Sequence, residues 1–348
     1  MNPGAEVSLV GLVHRSRHHA AASGYPRLAE FIPGMMTLSG EGSRVPYRIR
    51  KAIASRLPGR GRNYDSSSLG KELQLLSSFR DARGGVAHYF DAERDACVGP
   101  LFAHRFGWAT AGSFHYPPTI LREVISSRAV NRLDAAVALA SNQVELLAGM
   151  VGPDRVRLIP LGVDTDFFHV PSQPHRRDRF HVLLVGQHLR DFSTFAGVVD
   201  ELRRRHGTLR VTAVLLPAYH HMLPQRTWVT PLSGIDDQHL RSLYHSASCL
   251  LLPLRDAAAC TALLEAMACG MPVVTTNVGG TLDYVPDGVG FRCQPGEIEM
   301  MADAVSAVLL AEPDDFAHME EASRANALRF SLPVVARQLE GLLESLTR

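Results

Sequence analysis

The sequence predicts an α/β fold built from two Rossmann-like, doubly wound domains facing a central cleft. Three observations carry this. At 348 residues the chain exceeds one ordinary core and calls for two domains of roughly 150 residues each. Short apolar runs alternate with longer amphipathic stretches, which marks βαβ units and parallel sheets, and the alternation restarts half-way along. Hydrophobic residues make up 46% and charged residues 20%, so a full core can be buried.

Strands are expected near residues 7–13, 86–90, 108–112 and 135–140, then at 180–186, 209–216, 249–254 and 272–276. Helices are expected at 192–206 and 237–246. Between the halves, residues 168–179 carry Pro171, Pro174 and several polar side chains, and read as an inter-domain linker. The boundary is set there, giving domains 1–168 and 169–331. A terminal helix over 332–348 follows, with Ser331 as its N-cap and Pro333 in its first turn; it can pack on either domain or back on the first.

A net charge of +1, from 36 basic and 35 acidic residues, leaves no bulk field for nucleic acid. The cysteines, Cys97, Cys249, Cys260, Cys269 and Cys293, are odd in number and form no C-x-x-C pair, which argues against a disulfide framework or zinc knuckle and suits a reducing cytoplasm. The opening apolar run is too short to span a membrane and lacks the flanks of a signal peptide. His14, His18 and His19 include a helical i, i+4 pair, but no third metal ligand follows at a recognisable interval.

The densest signal runs from 240 to 280, LRSLYHSASCLLLPLRDAAACTALLEAMACGMPVVTTNVGG. A buried strand ends in a loop of small residues that opens into a helix near Thr261. Ligands of open α/β sheets bind at such carboxyl edges, where free N–H groups and the helix dipole meet an anion. Glu265 falls about one turn into the helix, where a carboxylate can accept two hydrogen bonds from a ribose diol.

These residues resemble the retaining glycosyltransferases of family 4, also called group 1, which have the GT-B fold. LLEAMACGMPVVTTNVGG is similar to that family's donor-site helix and following strand, IPLGVDTDFF to its inter-domain segment, and LSGIDDQHLRSLY to the stretch before the donor loop. The resemblance implies that domain 1–168 binds the acceptor and 169–331 a nucleotide-diphosphate sugar. It further implies transfer with retention through front-face attack, with the leaving diphosphate assisting proton removal and no cofactor or metal required.

By this resemblance Glu265 binds the donor ribose, the backbone of Ala259, Cys260, Thr261 and Ala262 meets the diphosphate and sugar, and Leu232 lies beside the base. Cys260 reads as a small wall residue rather than a nucleophile, since no His or Asp is visibly placed to activate it. The family's first glutamate is replaced by Ala257; either Asp256 substitutes for it or the donor sugar lacks the usual hydroxyl. After Gly186 the family supplies an Arg and a Lys, whereas this chain has Gln187 and then Arg190. Arg190 is therefore the candidate for the leaving-group charge, its alternative being a surface ion pair with Asp191.

In the first half, His115 in GSFHYPP matches the family's histidine near the transferred sugar, the alternative being a structural histidine. Ser23, Gly24 and Tyr25 resemble the acceptor-side loop, a weaker signal because glycine marks many turns. Asp164-Thr165-Asp166 spells D-x-D but falls in the inter-domain segment, where a turn or hinge is expected. Residues 44–62 interleave Arg44, Arg48, Arg50, Lys51, Arg56, Arg60 and Arg62 with Val45, Ile49, Ile53 and Leu57. That spacing gives an amphipathic basic helix of about ten residues, suited to an anionic membrane face, an acidic acceptor, or plain solvent.

Two rival functions remain open: a nucleotide-sugar epimerase or hydrolase on the same fold, and a non-catalytic nucleotide-sugar binder or partner subunit, which Ala257 and Gln187 would suit. A dinucleotide oxidoreductase is disfavoured, because the first strand leads into LVHRSRHH and not G-x-G-x-x-G.

Overall fold

The computed structural model describes residues 8–14, 22–41, 43–82, 84–171 and 177–347. His18, His19 and Pro174 lie outside them. The chain divides into two compact units, one of residues 1–17, 25–160 and 333–348, the other of 18–24 and 161–332.

The first unit carries a six-stranded parallel sheet of β1 (Ser8–Leu12), β2 (Met35–Leu38), β3 (Gly85–Tyr89), β4 (Trp108–Phe114), β5 (Ala135–Ala138) and β6 (Val156–Leu158), in the order β2-β1-β3-β4-β5-β6. Its inner strands β3, β4 and β5 are largely buried on both faces, as in a sheet covered on two sides, and carry the buried polar residues His88, Thr110 and Ser113. Leu12 pairs with Tyr89, Tyr89 with Gly112, and Phe114 with Ala138. Val10, Leu12, Tyr89, Trp108 and Phe114 are all buried in one core with Leu75 and Phe79 of the helix Ser66–Asp81. Asp65 caps that helix by accepting the N–H groups of Ser67 and Ser68.

Two buried charges on the same helix fix the turn after β3. The Glu72 carboxylate accepts the amides of Cys97, Val98 and Gly99 at 3.0, 2.9 and 2.8 Å, and the hydroxyls of Tyr64 and Tyr89 at 2.8 and 3.1 Å. Lys71 pairs with Asp95, both fully buried. A carboxylate with five donors offsets much of the desolvation that burying it costs.

The second unit repeats the plan with β7 (Asp178–Val185), β8 (Arg210–Val214), β9 (Val229–Leu232), β10 (Ala247–Leu252), β11 (Val273–Thr276) and β12 (Phe291–Cys293), ordered β12-β11-β10-β7-β8-β9 and again all parallel. The helices Phe192–Arg205 and Asp237–Ser246 begin at Asp191 and Asp236, whose carboxylates accept Thr194 N–H and His239 N–H. Arg177 donates to the carbonyls of Tyr244, His245, Ala247 and Cys269 and pairs with Glu320 at 2.6 Å.

Edge strands are where sequence and structure part. β2, β6, β9 and β12 are three or four residues long, too short to display a period of two, and went unexpected. The basic stretch forms a helix over Tyr47–Ala54 only, entered at Pro46. The helix Leu332–Ser345 forms as expected, and its residues from Pro333 onward group with the first unit.

Candidate active site

In the second unit β7 is followed by Gly186, whose φ of 82° puts it in the left-handed region that glycine tolerates. A Cβ there would lie 2.8 Å from Arg190 Nη2. Arg190 folds back over this turn: Nε and Nη2 donate to the Val185 carbonyl at 3.1 and 2.8 Å, Nη1 to His188 O at 2.9 Å, and Nη2 also reaches the Cys260 sulfur at 3.5 Å. Arg190 bridges Leu254, and Arg255 N–H donates to Leu189 O. The loops after β7 and β10 are thereby knitted together. Asp191 spends its carboxylate on Thr194 instead of pairing with Arg190.

Cys260 is the N-cap of the helix Thr261–Ala268, and among the described residues no side chain caps that helix. Its first N–H groups therefore stand without a side-chain acceptor beside a guanidinium, the electrostatic setting an anionic ligand prefers. Asp256 folds onto its own loop, Oδ1 accepting Ala257 N–H at 2.8 Å. Leu232 is the half-buried last residue of β9, and its carbonyl accepts Leu215 N–H at 3.0 Å.

Glu265 is 4% exposed. Ser23 Oγ donates to Oε1 at 2.6 Å and the fully buried Tyr244 hydroxyl to Oε2 at 2.9 Å. Burial pushes the carboxyl up to about 7; the two hydroxyl bonds pull it back in part, and Asp237 nearby adds to the rise. Beside it lies a cavity of only about 10 Å³, bounded by Ser23, Gly24, Asp164, Thr261, Glu265 and Leu332. Asp164 closes a turn, Oδ1 accepting the N–H groups of Asp166 and Phe167 at 3.0 and 2.9 Å.

In the first unit the carboxyl ends of β3 and β4 carry their own polar cluster. His115 follows β4, its N–H donating to Glu93 Oε1 at 2.7 Å and its Nε2 to Phe90 O at 2.6 Å. A carbonyl only accepts, so Nε2 bears a proton and donates it to Phe90 O. The Tyr25 ring meets His115 edge-on at 4.9 Å, and its hydroxyl contacts Ser113 Oγ at 2.9 Å. Burial raises the carboxyls of Asp91 and Glu93, and the Asp91 charge adds to the rise at Glu93.

Residues 222–327 match the protein family described as glycosyl transferases group 1. That match lies wholly within the second unit. The chain is 28% identical over 263 residues to the D-inositol 3-phosphate glycosyltransferase of Mycolicibacterium smegmatis, and 24% over 169 residues to a human phosphatidylinositol N-acetylglucosaminyltransferase chain. These alignments cover 68% and 46% of this chain. The chain spans 58% and 34% of the length of those relatives. Among solved structures, Anabaena HepE in complex with UDP and glucose superposes with a TM-score of 0.71, covering 98% of this chain and 100% of HepE at 15% identity. Sucrose-phosphate synthase from Thermosynechococcus elongatus gives 0.70, covering 97% and 99% at 17% identity. Those likenesses establish the fold, the two-domain GT-B architecture.

In the second unit the structure brings Gly186, Arg190, Cys260, Thr261 and Ala262 to one carboxyl edge, with Glu265 one turn deeper. Ser23, read from the sequence as acceptor-side, has its hydroxyl on Glu265 in the second unit, whereas Tyr25 is buried in the first. Sequence reasoning missed Tyr244, Asp91 and Glu93. Tyr244 shares the buried face of its helix with Leu240 one turn earlier, and a buried tyrosine hydroxyl normally has a partner; that was the available signal.

Proposed function

We propose that this chain is a glycosyltransferase that moves a sugar from a nucleotide-diphosphate sugar to an acceptor hydroxyl, with retention of configuration and without a metal. The observation that carries the reading is the grouping of Arg190 with the uncapped helix N-terminus at Cys260, one turn from the buried Glu265 carboxylate; Cys260 and Glu265 lie inside the family-matched segment 222–327. Diphosphate charge suits the first pair, and a ribose diol suits the carboxylate.

Glu265 takes the ribose, Leu232 the base, and the loop of Asp256, Ala259 and Cys260 the sugar. Arg190 stabilises charge that grows on the departing diphosphate, so its effect falls on turnover. His115 lies close to the transferred sugar, and Tyr25 serves the acceptor side. Two relatives carry inositol in their names, so inositol phosphates enter the acceptor panel.

A thermal-shift screen of nucleotides and nucleotide sugars tests the reading, since a donor that binds only the native state raises apparent stability. No stabilisation by any of them would defeat it. Stabilisation without turnover across acceptors would favour a non-catalytic binder, which Ala257 in place of a glutamate supports. Nucleotide release without an acceptor would favour a hydrolase.

Peripheral contact with an anionic membrane, on the cytoplasmic side, belongs to the same proposal. The helix Tyr47–Ala54 exposes Tyr47, Ile49 and Ile53, at 58%, 51% and 43%, beside exposed Arg48, Lys51 and Arg56. Among the described residues no helix is long and apolar enough to cross a membrane. Flotation with phosphatidylserine vesicles but not phosphatidylcholine vesicles is expected; equal recovery with both, or with neither, defeats the contact.

A further inference from the structure

Glu265 divides its two oxygens between partners of very different permanence. Tyr244, on Oε2, is fully buried within the helix Asp237–Ser246, and withdrawing its hydroxyl would strand a polar group away from water. Ser23, on Oε1, is half-exposed, so its hydroxyl can pass to water at little cost. The short segment 22–24 has a further hold on the same unit: Ala22 N–H donates to Asp237 Oδ2 at 2.5 Å. Gly24 follows with φ 113°, a conformation that lets the chain leave sharply.

With this segment in place there is no room for a nucleotide's sugar. The cavity at Glu265 holds one water at most, and a ribose needs several times that space. We propose that Ser23 holds, on Glu265 Oε1, the place a donor ribose hydroxyl takes, so that segment 22–24 is a strap exchanged for the nucleotide. The proposal rests on the assignment of Glu265 to the donor ribose.

The physical logic is one of replacement. A buried carboxylate left with an unfilled oxygen carries the full desolvation cost of that oxygen. Ser23 removes this cost while the site is empty, and a ribose hydroxyl removes it when the site is filled. One hydroxyl–carboxylate bond is swapped for another of the same kind, so donor affinity is lowered by the fraction of molecules in which the strap is closed. Tyr244 is the positioning residue that holds the carboxylate still during the swap, and Ser23 sets how often it is open. Gly24 gives the strap its exit.

The experiment measures affinity for UDP, ADP and GDP by calorimetry in the full chain, for wild type, Ser23→Ala and Glu265→Gln. Ser23→Ala is expected to bind the preferred nucleotide about three- to tenfold more tightly, because the competing bond is gone. Glu265→Gln is expected to bind it more weakly. Hydrogen exchange at the Ala22 amide should speed up when wild type is saturated with nucleotide, which a merely structural serine would not produce.

Weaker binding by Ser23→Ala would make Ser23 a donor ligand and overturn the strap. Unchanged affinity together with an Ala22 amide indifferent to nucleotide would overturn it as well. Unchanged affinity in Glu265→Gln, or no binding by any variant, instead removes the donor-site assignment on which the strap rests.

Discussion

The Arg190 guanidinium lies 3.5 Å from the sulfur of Cys260, the N-cap residue of the helix Thr261–Ala268, while Nε and Nη2 donate to the Val185 carbonyl and Nη1 to that of His188. A cation held this firmly costs no reorganisation when charge appears beside it. Arg190→Ala is therefore expected to lower kcat by about two orders of magnitude while changing donor affinity much less. Arg190→Lys should restore only part, because an ammonium lacks the planar fork. Gly186→Ala should mimic the loss, since its Cβ meets Nη2 at 2.8 Å on a left-handed φ. Near-normal turnover in the alanine variant at saturating substrates would return Arg190 to a purely structural role.

Glu265 makes stability depend on pH in a known direction. Its carboxyl rises from 4.5 to about 7 on burial, so between those values the folded protein keeps a proton that the unfolded chain has released. Its contribution is fullest below about pH 4.5 and declines as pH climbs to about 7, by about 3 kcal/mol at most. Urea unfolding of wild type and Glu265→Gln from pH 4.5 to 8 should show wild type losing ground to the variant across that window. A pH-independent difference would mean that the buried carboxyl ionises as it does in water.

Glu72 carries the turn after β3. Glu72→Ala would strip acceptors from three backbone amides and two tyrosine hydroxyls at once, a loss on the order of 3 kcal/mol or more. Denaturant unfolding should show it in the midpoint. A loss below about 1 kcal/mol would imply that water reaches those amides.

Sugar transfer is expected to survive excess chelator. Asp164 uses Oδ1 to cap the N–H groups of Asp166 and Phe167, so the D-x-D run has a backbone task in the second unit. Activity lost to chelation and restored by manganese or magnesium would overturn this.

The second unit was the more legible half because its punctuation is dense. Small residues before Thr261 and Gly270-Met271-Pro272 behind the helix delimit it; register puts Glu265 one turn into that helix, and the family resemblance supplies its ribose role. The edge strands were not legible: Phe291–Cys293 owes its place to pairing with β11, a tertiary fact that three residues cannot announce. The Ser23–Glu265 bond joins positions 242 residues apart, and neither residue type betrays the other. Arg190 was found by its isolation as a cation, yet its grip on Val185 O depends on the turn that Gly186 makes.

Arg177 has a consequence for how the second unit comes apart. One guanidinium joins the end of the helix Asp237–Ser246, the start of β10, the end of the helix Thr261–Ala268 and, through Glu320, the helix Pro313–Leu328. None of these can fray by itself without stranding donors of a 4% exposed side chain. They should therefore open as a single foldon, with amide protection of one common free energy, and Arg177→Ala should split that value into several.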